Sequence, residues 1–224
     1  MIYGFEQNIF QSPISLFLSI ILLFGVVNFG TFIQKLVIKK FRIINFNVNV
    51  FFSPIIGMYC LLYPIYLSLI LEIHASLFIK LIAYLLLLSG TFQLFKIKKD
   101  IIRAKNKNFE NNFSFFIIII LFFLLFFISA SPITHADAVD YHFLGALNLL
   151  NFGHFHKEIL PMHNNLVSLG EIIISLGLAI KAEQFSAIIQ TISLLALIPL
   201  FSNKKNIFLI LILICPITFF LVSS

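Results

Sequence analysis

The sequence predicts an all-α protein, a polytopic bundle of about seven transmembrane helices. Of its 224 residues, 60% are hydrophobic and only 11% are charged, whereas soluble domains are about 25% charged. A membrane-spanning helix needs roughly 20 apolar residues, so this content is enough for about six or seven spans. The apolar stretches are continuous rather than alternating, which argues against an outer-membrane barrel. Together these observations exclude a soluble globular domain, a disordered chain and a collagen-like repeat.

Seven apolar runs carry this prediction. They cover residues 13–33, 50–71, 77–95, 113–128, 167–180, 185–201 and 207–222. The fifth run is short: it either spans the membrane, with a helix that starts near Pro161, or is re-entrant, which leaves six spanning helices. We expect it to span. The chain then divides into residues 1–131 with four helices, an exterior loop over 132–166, and residues 167–224 with three helices, a set that we expect to be incomplete at the C-terminus.

Lysine and arginine cluster between the runs and set the orientation. Residues 35–42 and 96–107 hold ten of the fifteen, and basic loops stay on the cytoplasmic side. Alternating helices put both clusters on the same side, so we place them in the cytoplasm and residues 132–166 outside. This placement explains the net charge of +6, so no nucleic-acid partner is expected. We predict an integral protein of the inner (cytoplasmic) membrane that is in contact with the lipid bilayer.

The predicted exterior loop concentrates ionisable residues: it holds two of the three Asp and five of the six His in the chain. A helical wheel separates two faces. The polar face holds Asp137, Asp140, Tyr141, Asn148 and Asn151. The opposite, apolar face holds Val139, Phe143, Ala146 and Leu150. This pattern predicts an amphipathic helix that lies along the membrane surface and is ended by Gly153.

Asp137 fits two compatible interpretations. With Thr134 it matches a capping pattern that puts the acid at the third helical position. A carboxylate near a helix N-terminus is also stabilised in its charged form. It could then act as a base or hold a metal ion just outside the bilayer.

Glu171 lies inside an apolar run, about one or two turns below the predicted exterior surface. An ionisable residue at this depth is costly and suggests a function. The structural alternative is a carboxyl group that pairs with a neighbouring helix or stays protonated. No metal site is predicted, because His154 and His156 lack the spacing of a zinc site. Cys60 and Cys215 lie in apolar runs and are interpreted as packing residues.

Three blocks in the second half of the chain resemble a known family. The sequence ADAVDYHF over 136–143 resembles the first exterior loop of polytopic GT-C type glycosyltransferases, in particular bacterial members with an aD-x-x-x-YH loop. Residues 164–180 look like the helix that follows this loop, and residues 182–190 resemble the start of the next helix. The similarity covers about residues 131–224, and it is based on the order and spacing of the three blocks.

The resemblance implies an inverting transferase that takes a sugar from a polyprenyl-phosphate carrier. It implies that Asp137 is the catalytic or metal-linked acid. Tyr141 and His142 match motif positions that shape the pocket, and Glu171 matches the acid of the following helix. These three, with Asp140 on the same face as Asp137, are the expected substrate-binding residues. A divalent metal ion could help to screen the phosphate, although the sequence contains no complete ligand set.

Two features depart from the family pattern. The loop follows the fourth predicted helix instead of the first, and such enzymes usually have many more helices, so we expect a fragment or a split copy. Two other functions stay open: a non-enzymatic membrane protein of envelope assembly, and a transporter with Glu171 as its coupling carboxylate. A transporter should have broken helices or an internal repeat, and the sequence indicates neither.

Overall fold

The computed structural model describes residues 12–41, 50–71, 73, 75–103, 113–131, 142–154, 169–194 and 196. The regular structure within these residues is entirely helical, which confirms the predicted all-α class. They form seven α-helices, and a 3-10 turn at Val50–Phe52 precedes the second. The helices are α1 (Ser12–Phe41), α2 (Ser53–Ile70), α3 (Ala75–Arg103), α4 (Phe113–Ser129), α5 (Leu144–Phe152), α6 (Leu169–Leu178) and α7 (Phe185–Ser193).

Three of the described helices are long and apolar enough to cross a membrane. They are the segments Pro13–Phe41, Ser53–Ile70 and Ala75–Phe95 of α1, α2 and α3. At a rise of 1.5 Å per residue, the 30 residues of α1 extend for about 45 Å, against a hydrocarbon core of about 30 Å. The chain is therefore a multi-pass membrane protein by the length and composition of these helices.

Two of the long helices extend beyond their predicted ends. α1 continues past residue 33 to Phe41, and α3 continues past residue 95 to Arg103. Both extensions hold several lysines and contain neither Gly nor Pro. Lysine is a good helix former, so the helix does not stop where the apolar run stops. The basic clusters thus begin as the last turns of helices instead of as loops.

Glycine lets the backbones of the long helices approach closely. A Cβ atom placed on Gly90 of α3 would lie 2.0 Å from the carbonyl oxygen of Ile21 in α1. One placed on Gly30 of α1 would lie 2.0 Å from the carbonyl oxygen of Ser53 in α2. No side chain fits in these gaps. α1 therefore packs directly against α2 and α3 and forms the centre of the bundle, in the way that small residues mediate helix contacts in membranes.

The short helices α5, α6 and α7 pack against one another and against the long ones. The ten residues of α6 measure about 15 Å, half the thickness of the hydrocarbon core. As described, α6 has the length of a re-entrant segment. The longer helix that we expected for run 167–180 needs residues 161–168, which lie outside the described residues. Run 207–222 also lies outside them. The described helices are seven in number, as predicted, but one of them is α5 from the predicted exterior loop, and run 207–222 is not among them.

A single apolar core joins the long and short helices. Its fully buried side chains come from all three long helices and from α5, α6 and α7, and include Leu22, Ile65, Ile79, Phe143, Leu176 and Phe185. The outer face of the bundle is also apolar, with large exposed side chains such as Phe17, Tyr63 and Phe92. A continuous apolar exterior of this kind suits contact with lipid.

Candidate functional site

The helix predicted in the exterior loop is present as α5, and three of the four residues of its predicted apolar face are confirmed as buried, while Val139 lies outside the described residues. Phe143, Ala146 and Leu150 are all buried. Gly153 ends the helix in the left-handed conformation, with φ of 75°, and its N–H donates to the carbonyl oxygen of Leu149 at 3.0 Å. Glycine suits this position because it has no Cβ to clash in that conformation.

The buried side of α5 is wider than the predicted one. Leu147 and Leu149 are buried as well, whereas Asn148 is half-buried and Asn151 is exposed. α5 contacts both α3 and α6, and the Ser76 hydroxyl of α3 donates a hydrogen bond to a main-chain carbonyl of α5. The helix is therefore a packed part of the bundle that keeps one polar edge exposed.

α6 buries an acidic side chain next to α5. Glu171 lies in the first turn of α6 and is buried together with Ile172, Ser175 and Leu176. A Cβ placed on Gly145 of α5 would lie 3.5 Å from the Glu171 Cγ atom, an ordinary van der Waals distance. The stem of this glutamate is therefore covered by the backbone of α5.

His142 meets the carboxylate of Glu171 at the start of α5. Its Nδ1 atom lies 2.6 Å from Glu171 Oε1, and the two side chains are 51% and 5% exposed, respectively. When the Glu171 carboxylate is ionised it only accepts hydrogen bonds, and Nδ1 is then the donor of this short contact. The pair consists of a buried acid and a half-exposed imidazole.

The structure therefore brings together two of the five predicted site residues. Both His142 and Glu171 were expected to bind substrate, and they come from two different blocks of the family resemblance. Asp137, Asp140 and Tyr141 lie outside the described residues. Among the residues that the structure describes, no group of three or more His, Cys, Asp or Glu could hold a metal ion.

A second buried polar cluster was missed by the sequence reasoning. Ser15 in the first turns of α1 donates to the side-chain oxygen of Gln184 at 2.5 Å and accepts from the backbone N–H of Glu183 at 2.9 Å. All three residues are buried. The Gln184 Nε2 atom has no hydrogen-bond partner among the described residues. The cluster ties the turn between α6 and α7 to α1.

One half of this cluster comes from a short polar segment between two apolar runs. The sequence Lys-Ala-Glu-Gln over 181–184 reads as a solvated turn, and Lys181 does adopt a positive φ of 60° there. Its acid and amide are nevertheless buried against a helix 169 positions earlier in the chain. Local sequence gives no indication of a contact at that separation.

The fold and the site define an all-helical, multi-pass membrane protein with a carboxylate–imidazole pair at the junction of its short helices. Residues 89–224 match the family described as the DUF1420 N-terminal domain. The match covers 136 of the 224 residues, and the chain belongs to this family. It begins within α3 and includes both partners of the pair. No curated protein and no solved structure is significantly similar to the chain.

Proposed function

We propose that the protein is a membrane glycosyltransferase that moves a sugar from a polyprenyl-phosphate donor to an envelope acceptor on the exterior face. The motif resemblance over residues 136–143 and 164–180 is the first support. The observation that carries the proposal is the 2.6 Å contact between His142 and Glu171, because it joins those two blocks in one site. Ionisable residues inside a membrane bundle are costly and mark functional sites by default.

The reaction makes two demands on such a site. A hydroxyl group of the acceptor must lose its proton, and the phosphate of the lipid carrier must leave from the sugar carbon. Asp137 supplies the negative charge that the family resemblance requires, as the base or as a metal-linked group. Asp140 and Tyr141 complete the polar lining in this proposal. The donor phosphate would then lie at the membrane surface near the start of α5.

A transfer assay with an Asp137 variant tests this function. The complete protein is reconstituted in lipid vesicles with a radiolabelled polyprenyl-phosphate sugar and an extract of envelope acceptors. Asp137→Asn should lower the transfer rate strongly, because the base and the metal-linked group both require its negative charge. The loss should be about 10² to 10⁴ if Asp137 is the base. The thermal stability of this variant should change little, because Asn keeps a side-chain oxygen that can accept a hydrogen bond at the helix start and loses only the charge interaction there, roughly 0.3–1 kcal/mol.

Asp140→Asn is the matched control, one turn further along the same predicted face, and should lose less activity. Wild-type transfer by Asp137→Asn would reduce this carboxylate to a helix cap. Failure of the wild-type protein to use any of a panel of polyprenyl-phosphate sugars would contradict the transferase function itself.

One observation favours a second function, a proton-coupled transporter. The described part of α6 has ten residues and α7 has nine, and the two follow each other through a turn inside the bundle. Short helices of this kind, next to a buried carboxylate, are found at the binding sites of transporters. Vesicles with an imposed pH gradient would distinguish the two functions. Proton flux that depends on Glu171, without sugar transfer, would favour the transporter.

A further inference from the structure

We propose that His142 is the proton acceptor of this site and that Glu171 is its positioning residue. The assignment rests on the proposed function for the identity of the proton donor, an acceptor hydroxyl. The family resemblance gave both residues a substrate-binding role. In this assignment His142 accepts the proton and Glu171 positions His142. The assignment leaves to Asp137 the metal-linked role that the same resemblance allows.

The geometry separates the two nitrogens of the imidazole ring. Nδ1 is occupied by the contact with the Glu171 carboxylate at 2.6 Å. A hydrogen bond at one ring nitrogen fixes which nitrogen carries the proton. With the proton on Nδ1, the Nε2 atom keeps its lone pair. The His142 side chain is 51% exposed, so this lone pair can reach a substrate.

Burial excludes Glu171 from the same role. Its side chain is 5% exposed, and the backbone of α5 at Gly145 covers its stem. A substrate hydroxyl could reach the carboxylate only if α5 moved away from α6. The acid therefore acts through His142, in the way that a buried carboxylate holds a catalytic histidine in the correct tautomer and orientation.

Charge also favours proton acceptance by the pair. Neutral His142 with ionised Glu171 has a net charge of −1, and protonation of Nε2 brings it to zero. The imidazolium that forms is stabilised by a carboxylate already in hydrogen-bond contact, within a partly desolvated site where electrostatic interactions are strong. A histidine that was already doubly protonated would have no lone pair to accept a proton.

The proposed transfer moves one proton, forms one bond and breaks one bond. The proton of the acceptor hydroxyl moves to Nε2 of His142, and the hydroxyl oxygen forms a bond to the anomeric carbon of the sugar. The bond between that carbon and the phosphate oxygen breaks, and its electron pair leaves with the polyprenyl phosphate. His142 then returns the proton to water, which its exposure permits.

The protonation state can be measured without any transfer assay. The complete protein, labelled with ¹⁵N-histidine in lipid nanodiscs, should give a His142 signal with a protonated Nδ1 and an unprotonated Nε2 at neutral pH. Free histidine in water favours the opposite tautomer, so the preference reports on Glu171. His142→Gln assigns the signal. A doubly protonated ring, or a proton on Nε2 alone, would overturn the proposal even if the protein transfers sugar.

Variants of Glu171 separate positioning from structure. Glu171→Gln keeps an oxygen that can accept from Nδ1 but removes the charge, whereas Glu171→Leu removes both. The tautomer preference should survive in Gln and disappear in Leu. The turnover number should fall in the order wild type, Gln, Leu, with an unchanged KM. Glu183→Gln is the matched control, because Glu183 is also a buried acid but lies beyond the other end of α6. Equal turnover in Leu and wild type would refute the positioning role.

Imidazole rescue tests the acceptor role directly. His142→Ala should lower transfer by about 10² to 10⁴, the range for a positioned base, and added imidazole should restore part of it. His154→Ala is the control, since His154 is an exposed histidine that stacks on Phe152 at the end of the same helix. Imidazole should not affect that variant or the wild type. Near-normal transfer by His142→Ala, or a large loss without rescue, would overturn the assignment. Absent transfer in the wild type with the expected tautomer would refute only the proposed function.

Discussion

The long helices α1 to α3 and the short helices α5 to α7 differ in the polar groups that they bury where they pack. The long helices meet through glycine, and their hydrogen bonds across helices join neutral groups. Asn28 donates to Ser89 at 2.8 Å and Gln34 donates to Ser53 at 2.9 Å. The short helices bury two acids, Glu171 among them.

This difference indicates where the molecule tolerates an energetic cost. Neutral hydrogen bonds between membrane helices contribute modestly and leave no charge in the apolar core. A buried carboxylate must be compensated, and its removal from water opposes folding. The short helices bear this cost next to a half-exposed imidazole, and this pair is the one that the proposed proton transfer uses. The long helices α2 and α3 pack against the short helices and support that site.

The largest stability effect is expected where the long helices touch. Gly90→Ala places a methyl group 2.0 Å from the Ile21 carbonyl oxygen and 3.0 Å from the backbone nitrogen of Gly25. Neither atom can move without a shift of α1, so the two helices must separate. We expect a loss of at least about 1–3 kcal/mol, the usual cost of overpacking, measured as a lower midpoint of thermal unfolding in detergent.

Gly145→Ala in α5 is the matched control for this substitution. Its new methyl group would meet Glu171 Cγ at 3.5 Å, which is normal contact. Alanine is favoured over glycine within a helix by roughly 0.5–1 kcal/mol, so this variant should be as stable as the wild type or more so. A comparable loss of stability in both variants would mean that the cost at Gly90 does not come from the close approach of α1 and α3.

The next largest effect is expected at the end of α5. Gly153 has a φ of 75°, a conformation that costs other residues roughly 1–2 kcal/mol. Gly153→Ala should therefore lower the free energy of unfolding by about this amount, as measured by chemical denaturation in mixed micelles. Gly153→Asn should lose less, because asparagine tolerates this region. Identical losses in both variants would show that space and not backbone conformation decides the effect.

Sequence reasoning predicted the local features of this site better than its contacts. The spacing of Phe143, Ala146 and Leu150 identified the buried face of α5, and Gly153 identified its end, because both follow from helical periodicity and backbone conformation. The contact between His142 and Glu171 could not be predicted, since it joins residues 29 positions apart on different helices. Each had been singled out for its own chemistry, and only the packing of α5 on α6 shows that they meet.

In the long helices, the apolar runs were predicted correctly and the helix ends were not. Their apolar runs were located correctly, because composition decides which residues enter a bilayer. Their ends were placed too early, because the lysines that follow the runs are compatible with a helix and only the absence of Gly and Pro showed it. The cluster of Ser15 with Gln184 was missed for a different reason: nothing in either segment indicates a partner on the other side of the bundle.

A smaller net effect is expected when both side chains of that cluster are made apolar together than when only one of them is. Ser15→Ala alone leaves the Gln184 oxygen buried without its donor, which should cost about 1–3 kcal/mol. The double variant Ser15→Ala with Gln184→Met also removes the Gln184 amide, so it should lose less stability than Ser15→Ala alone. The Glu183 N–H lacks its acceptor in both variants, so a part of the loss should remain. Thermal unfolding of the three proteins gives the coupling between the positions. A double variant that is less stable than either single one would indicate that the buried amide has a role in holding the turn to α1.

Labelling at Asn151 should leave stability unchanged and still decide the sidedness of the short helices. Asn151 is exposed on α5, so Asn151→Cys, in a background without the native cysteines, should fold normally. The basic clusters predict that α5 is exterior, and a membrane-impermeant maleimide should then react in intact cells. Lys39→Cys, exposed near the end of α1, is the opposite control and should react only after permeabilisation. If the two positions exchange their behaviour, the imidazole of His142 faces the cytoplasm, and a donor presented on the exterior leaflet could not reach it.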